Sequence, residues 1–320
     1  LAATGMRVVR LGHPARMQAD ARDVSLAQQV ADSPDQRVLR DNRRDLDQAL
    51  RSMQRSDGRR ERAAARSELR RLRDERRQLE RAITRGIIDG ADVVLATTTG
   101  ASEAGVGERA FDRVVIDEAA QALEAACWIP MQHADRLVLA GDHHQLPPTV
   151  ISAEAAALGL SRTLFARLAE QPTTAASRCM LTTQYRMHER VMGWSAETFY
   201  DGRLKAAGAV ARHRLVDLDG VTSNEWTEEP VCFVDTAGCG HEETAEQDEA
   251  SRHNPGEAEL VTRVVTDLND AGVSLADIAV ITPYNAQVQR IRERLPQLEL
   301  EVGTVDGLQG REKEAVVVSL

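Results

Sequence analysis

Residues Phe111–Gln121 read FDRVVIDEAAQ. Three β-branched apolar residues, Val114, Val115 and Ile116, run into two adjacent carboxylates, Asp117 and Glu118, and then into small helix formers. A Val/Ile run bounded in this way reads as a short strand buried in a parallel sheet. Two like charges at its end repel each other unless a cation or a reaction engages them. Open α/β folds bind ligands at the C-terminal edge of such a sheet. There the pair suits nucleotide hydrolysis, one carboxylate holding a metal and its neighbour acting on water. The pair equally suits the start of a helix at Ala119, where the macrodipole favours negative charge. On this stretch alone both readings stand.

The same strand pattern recurs outward from it. RVVRL, DVVLATT, RVVIDE and RLVLAGD, then PVCFVDT, DIAVITPY, LEVGTV and EAVVVSL, alternate with helical periodicity. That alternation predicts an α/β chain of parallel sheets wrapped by helices. With 320 residues, 42% of them hydrophobic, the chain can fill two cores. PTTAASRC interrupts the helical pattern near Thr173–Cys179 ahead of a strand MLTTQ, so the expected domains are 1–175 and 176–320. The segment Thr236–Glu257, Gly-rich and acidic, reads as a mobile surface loop. No run reaches the length of a membrane span and no signal-peptide core opens the chain, so a soluble protein without a membrane partner is expected. Cys127, Cys179, Cys232 and Cys239 lack zinc spacing and read as reduced buried thiols of a nucleus or cytosol.

Charge is unevenly placed. Between Arg37 and Arg85, 17 arginines stand against 9 acidic residues, a local +8 that leaves −18 for the remainder of a chain of net charge −10. The acidic total therefore does not exclude a nucleic-acid partner, because a local basic face can bind phosphates. A solvated helical face of mixed charge fits the run equally well. Leu39, Leu46, Leu50 and Met53 form one helical stripe, Asp57-Gly58 can turn the chain, and Leu69, Leu72, Leu79 and Ile83 return, which predicts an antiparallel helical hairpin over about 35–86.

Three further strings carry chemistry. In LVLAGDHHQLPPTV, Asp142 closes a strand and Gln145 offers a neutral amide to a terminal phosphate, while His143 and His144, adjacent and without further ligands, read as surface loop residues. In LTTQYRMHERV, Arg186 is a permanently charged donor able to reach a phosphate, and Tyr185 can stack on a base. A local salt bridge for Arg186 and a core position for Tyr185 are the plainer alternatives. In VGTVDGLQGREKEAVVVSL, Gly307 and Gly310 permit a tight polar loop carrying Asp306, Gln309, Arg311, Glu312 and Lys313.

Taken together, DEAAQ, GDHHQLPP, QYRMH, ITPYNAQ and VDGLQGREKE, in this order, resemble helicase motifs II to V of superfamily 1, in the up-frameshift-like group. RLGHPAR, LATTTGAS, QALEAACWIP, VDTAGCG and NPGE narrow the resemblance to one branch of it. The resemblance implies two RecA-like parallel-sheet domains with the hairpin inserted in the first. It implies an ATP-dependent 5′ to 3′ helicase on single-stranded DNA or RNA, monomeric, using ATP and Mg2+, nuclear or cytoplasmic, with ribosomes or RNA-processing complexes as further partners.

By resemblance, Asp117 holds Mg2+, Glu118 acts on the attacking water and Gln145 senses the γ-phosphate. Arg186 is the arginine finger, Tyr185 lies against adenine, and Gly310 and Glu312 sit near the nucleotide. Thr97, Thr98, Pro283, Tyr284 and Thr304 resemble strand-contacting positions. Two departures stand out. Leu308 occupies the usual place of a Phe, and no G-x-x-x-x-G-K-[ST] phosphate loop is present, Lys205 and Lys313 lying in other contexts. An internal portion lacking the P-loop and motif VI, inactive on its own, is the corresponding expectation. The alternative is a non-catalytic nucleic-acid or protein binding scaffold derived from a helicase.

Overall fold

The computed structural model describes every residue except 1–4, 13–21, 56–57, 103–105, 108 and 246–250. Part of the RLGHPAR string, Asp57 of the expected turn and the most acidic part of the loop after Thr236 lie outside the described residues. The chain forms two compact units, Leu1–Ala176 and Ser177–Leu320.

The first unit runs β1 (Val8–Arg10), α1 (Leu26–Asp32), α2 (Gln36–Arg55), α3 (Arg59–Gly90), β2 (Val93–Leu95), β3 (Val114–Ile116), α4 (Glu124–Met131), β4 (Leu137–Leu139), α5 (Ala153–Ala157) and α6 (Leu164–Ala169). β1 pairs with β2 and β3 with β4, both in parallel, as two separate ladders. Val9, Leu11, Ile88, Ala91 and Val106 close over the first ladder. Ile116, Ala119, Cys127 and Leu164 close over the second.

Helices α2 and α3 form the hairpin, α3 continuing to Gly90 and so past the expected end. Leu46, Leu69 and Leu72 are its buried seam, and Asn42 Nδ2 donates to the Leu72 carbonyl at 3.1 Å. These pairings fix the antiparallel register.

The second unit runs β5 (Thr183–Gln184), α7 (Glu189–Tyr200), β6 (Lys205–Ala206), α8 (Glu225–Glu228), β7 (Thr244–Ala245), β8 (Arg252–His253), α9 (Pro255–Asp270), β9 (Ile278–Ile281), α10 (Asn285–Arg294), β10 (Glu301–Gly303), α11 (Val305–Leu308) and β11 (Ala315–Val318). Its sheet is parallel in the order β10-β9-β11. The central strand IAVI buries Ile278, Ala279 and Val280 almost completely, as a strand covered on both faces must. α9 lays Ala258, Val261, Val265 and Leu268 on this sheet along one helical stripe. Asn254 caps it by accepting from the Gly256 and Glu257 amides, with Pro255 in its first turn.

Several expectations are corrected here. PVCFVDT forms no strand, and Phe233 is exposed. Only Thr183 and Gln184 of MLTTQ pair. The segment after Thr236 holds the antiparallel pair β7–β8 and the first turn of α9, so backbone pairing and a cap order parts of what composition alone marks as loop. Cys127 is buried, its thiol pushed up by that burial, whereas Cys179, Cys232 and Cys239 are exposed. Among the described residues no helix is long and apolar enough to cross a membrane.

Candidate functional site

In the first unit the two carboxylate-bearing strand ends are joined by backbone. After the parallel pairing of β3 and β4, Ala140 N donates to the Ile116 carbonyl at 2.9 Å and Ala119 N donates to the Ala140 carbonyl at 2.8 Å. The backbone at Ile116–Ala120 and at Ala140–Gly141 therefore lies side by side. Gly141 is what permits it. A Cβ there would stand 2.9 Å from the Ala120 amide nitrogen and 3.1 Å from that of Ala119. Both neighbours are backbone, which cannot rotate away. Gly141→Ala should accordingly destabilise the first unit by about 1–3 kcal/mol, the usual scale of overpacking, read as a fall in its denaturant midpoint.

No helix starts at Ala119. Residues 117–120 form a turn, the chain bends at 121–122 and α4 begins only at Glu124, so the macrodipole reading of the carboxylate pair is corrected. Glu118 instead takes a left-handed backbone, φ +51°, a conformation that costs a non-glycine residue on the order of 1 kcal/mol or more and that clusters at functional sites. Asp117 Oδ1 accepts the Glu118 amide at 3.0 Å, and Gln121 Nε2 donates to Glu118 Oε2 at 2.7 Å. Both acids are solvent-facing.

On the neighbouring loop Asp142 accepts from the His144 amide through Oδ1 and from Gln145 Nε2 through Oδ2, at 3.1 and 2.9 Å. His143 and His144 are exposed. Arg167 clamps Glu124 through Nε and Nη2 at 3.0 and 2.6 Å, and its guanidinium holds that carboxyl below the ordinary carboxylate range. The clamp ties α4 to α6.

Among the described residues no three His, Cys, Asp or Glu side chains converge on a metal position. Mg2+ does not require such a cage, since it binds through one or two carboxylates, substrate phosphates and water. An exposed Asp117 at a strand end, with one oxygen fixed by a backbone amide, fits that donor set. Thr97 and Thr98 follow β2, where Thr97 Oγ1 accepts the Gly100 amide at 3.0 Å.

In the second unit Gln184 shapes the QYRM turn. Its Oε1 accepts the Arg186 and Met187 amides at 2.8 and 2.7 Å, and its Nε2 donates to the Met187 carbonyl at 2.6 Å. The turn leaves Tyr185 74% exposed, which removes the core alternative for that ring. Arg186 Nε donates to Glu312 Oε1 at 2.7 Å, so two candidates far apart in sequence are brought together.

Pro283, Tyr284 and Thr304 lie on the loops after β9 and β10, joined where Thr282 N donates to the Gly303 carbonyl at 3.1 Å. Gly310 and Glu312 lead into the start of β11, at the opposite edge of the same parallel sheet.

Positioning residues that motif reading passes over are Gly141, Gln184 and Gln287. Gln287 is buried within ITPYNAQ and ties the first turn of α10 to the α9 cap and to the end of β11, accepting the Asn254 amide at 2.9 Å and donating to Ser319 Oγ at 3.1 Å. The available signal is an amide inside an otherwise apolar helix stripe.

Two family profiles described as AAA domain match the chain, over residues 1–153 and 160–320. The DNA-binding protein SMUBP-2 of Mesocricetus auratus is 48% identical over 325 residues, which is all of this chain and 33% of that protein. The DNA polymerase alpha-associated DNA helicase A of Schizosaccharomyces pombe is 38% identical over 329 residues, all of this chain and 49% of that protein. An ATP-dependent helicase of Methanocaldococcus jannaschii is 39% identical over 241 residues, 73% of this chain and 35% of that protein. The chain thus spans between a third and a half of the length of these relatives.

Proposed function

We propose, from the premise that this chain belongs to the AAA-domain family, with relatives named as a DNA-binding protein, a DNA helicase and an ATP-dependent helicase, that it is motor machinery of an ATP-dependent nucleic-acid helicase. One observation supports the reading: the backbone just after two parallel strands, at Ala119–Ala120 next to Asp117 and Glu118 and at Ala140–Gly141 next to Asp142, is held side by side by hydrogen bonds and by the close approach of Gly141.

The roles follow from chemistry. Asp117 is the residue to hold Mg2+, which when bound neutralises charge on the phosphates. Glu118, an exposed carboxylate one residue further on, accepts the proton of the attacking water. Gln145 contributes an amide that can move between Asp142 and a phosphate oxygen. Arg186 supplies permanent positive charge to the transferring phosphate, with Tyr185 against the adenine and Gly310 and Glu312 at the nucleotide. Thr97 and Thr98 in the first unit, and Pro283, Tyr284 and Thr304 in the second, grip the strand backbone.

Such a grip is tolerant of sequence and weakened by salt. The named relatives favour DNA as the strand. The 5′ to 3′ direction, the RecA-like character of the domains with the hairpin inserted in the first, monomeric action, RNA-processing or ribosomal partners, and a nuclear or cytoplasmic place are supported by the motif resemblance.

The test is phosphate release by the intact protein with Mg-ATP. Stimulation by single-stranded DNA supports the reading. Turnover that is absent, or indifferent to nucleic acid, overturns it.

A further inference from the structure

At the root of the hairpin, α1, α2 and α3 leave an open groove of about 730 Å³, a size in the range of ligand sites. Its floor is apolar, Leu39 buried and Leu26 and Val30 half-buried. Its rim is cationic. Leu39, Arg40 and Arg43 share one face of α2 through their three- and four-residue spacing, and Arg76 faces the same space from α3.

Arg76 is already matched, its Nε donating to Glu80 at 2.8 Å. Arg40 and Arg43 have neither a hydrogen-bond nor an ion-pair partner among the described residues. By contrast Arg44 and Arg77, on the same hairpin but outside the groove lining, pair with Asp41 and Asp74. The groove therefore holds two uncompensated guanidinium groups above an apolar floor.

That arrangement complements a phosphodiester strand, whose phosphates accept from the guanidinium forks while sugars and bases meet the floor. An acidic peptide offers the charge with less for the floor to cover. We propose that this groove holds the phosphate backbone of single-stranded nucleic acid, a site separate from the strand-end positions. The proposal rests on the nucleic-acid reading given above. Among the described residues no aromatic ring lines the groove, so its contribution is electrostatic, indifferent to base sequence and steep in salt.

The experiment is the slope of log affinity against log salt for the intact protein binding a fluorescent oligothymidine. Arg40→Gln/Arg43→Gln should reduce the slope by about 1.4, at roughly 0.7 per phosphate on a single strand. Arg40→Lys/Arg43→Lys should keep it. Arg44→Gln/Arg77→Gln, which removes the same charge from outside the groove, should leave it unchanged. Melting curves of the variants confirm that they fold.

An unchanged slope in Arg40→Gln/Arg43→Gln, or an equal loss in both glutamine variants, overturns the groove while leaving the nucleic-acid reading intact. Loss of polyglutamate binding without loss of oligothymidine binding also overturns it, in favour of a peptide site. Absence of oligothymidine binding by the unaltered protein removes the nucleic-acid reading and the groove with it.

Discussion

Glu118→Gln in the intact protein should lower DNA-stimulated ATP turnover by about two to four orders of magnitude, the scale of general-base catalysis, while ATP binding persists. The substitution preserves shape and removes only the ability to take a proton. Glu118 follows the Asp117 it bonds through its amide, and it occupies a left-handed backbone at φ +51°. A residue kept in that conformation is held by its surroundings, here the backbone bonds of Ala119 and Ala140 and the close approach of Gly141. Steady-state phosphate release with nucleotide binding measured in parallel separates the two effects. Turnover within about threefold of the unaltered protein would remove Glu118 from the chemistry, since a working base contributes far more.

Arg186→Ala should have a comparable or larger effect, a fall of about 10³- to 10⁵-fold in turnover if the guanidinium stabilises the transferring phosphate, with only a modest loss of oligonucleotide affinity. Arg186→Lys should recover little, because a point charge does not reproduce the planar fork. The arginine is positioned by the Gln184 side chain, which accepts the Arg186 amide, and its guanidinium rests against Glu312. That ion pair is solvent-exposed, 53% and 64% at the two side chains, and exposed pairs are weak, worth about 0–1 kcal/mol. Exchange of Glu312 for a phosphate is therefore energetically accessible. Single-turnover kinetics with radiolabelled ATP provide the check, and a rate unchanged by Arg186→Ala would return the residue to the local salt bridge.

Particular residues show how much of this was legible before the fold. Val114–Ile116 and Leu137–Leu139 were readable as strands because their apolar runs end abruptly in Asp117 and Asp142, and both do pair in parallel. The hairpin was readable because leucines at helical spacing recur on both sides of Gly58, and Leu46, Leu69 and Leu72 are its buried seam.

PVCFVDT carries β-favouring residues as β9 does, yet its Phe233 is exposed and it joins no sheet among the described residues. β composition expresses fit to a half-buried surface, and that surface is decided by neighbours a short window cannot contain. The left-handed turn at Glu118 was hidden for a related reason: no local preference asks for it, and backbone bonds to the next strand impose it. The pairing of Arg186 with Glu312 and the convergence of α1, α2 and α3 on Arg40, Arg43 and Arg76 join residues through space alone, so motif spacing is silent about both.

Strand displacement by the intact protein on short DNA duplexes tests the helicase assignment most directly. With Mg-ATP, a duplex carrying a 5′ single-stranded tail should be unwound and one carrying a 3′ tail left intact, and Glu118→Gln should abolish the displacement while the tail is still bound. Equal displacement from both tails would contradict the direction. No displacement from either, by protein that binds the tail and ATP, would contradict the assignment of this chain to a helicase motor.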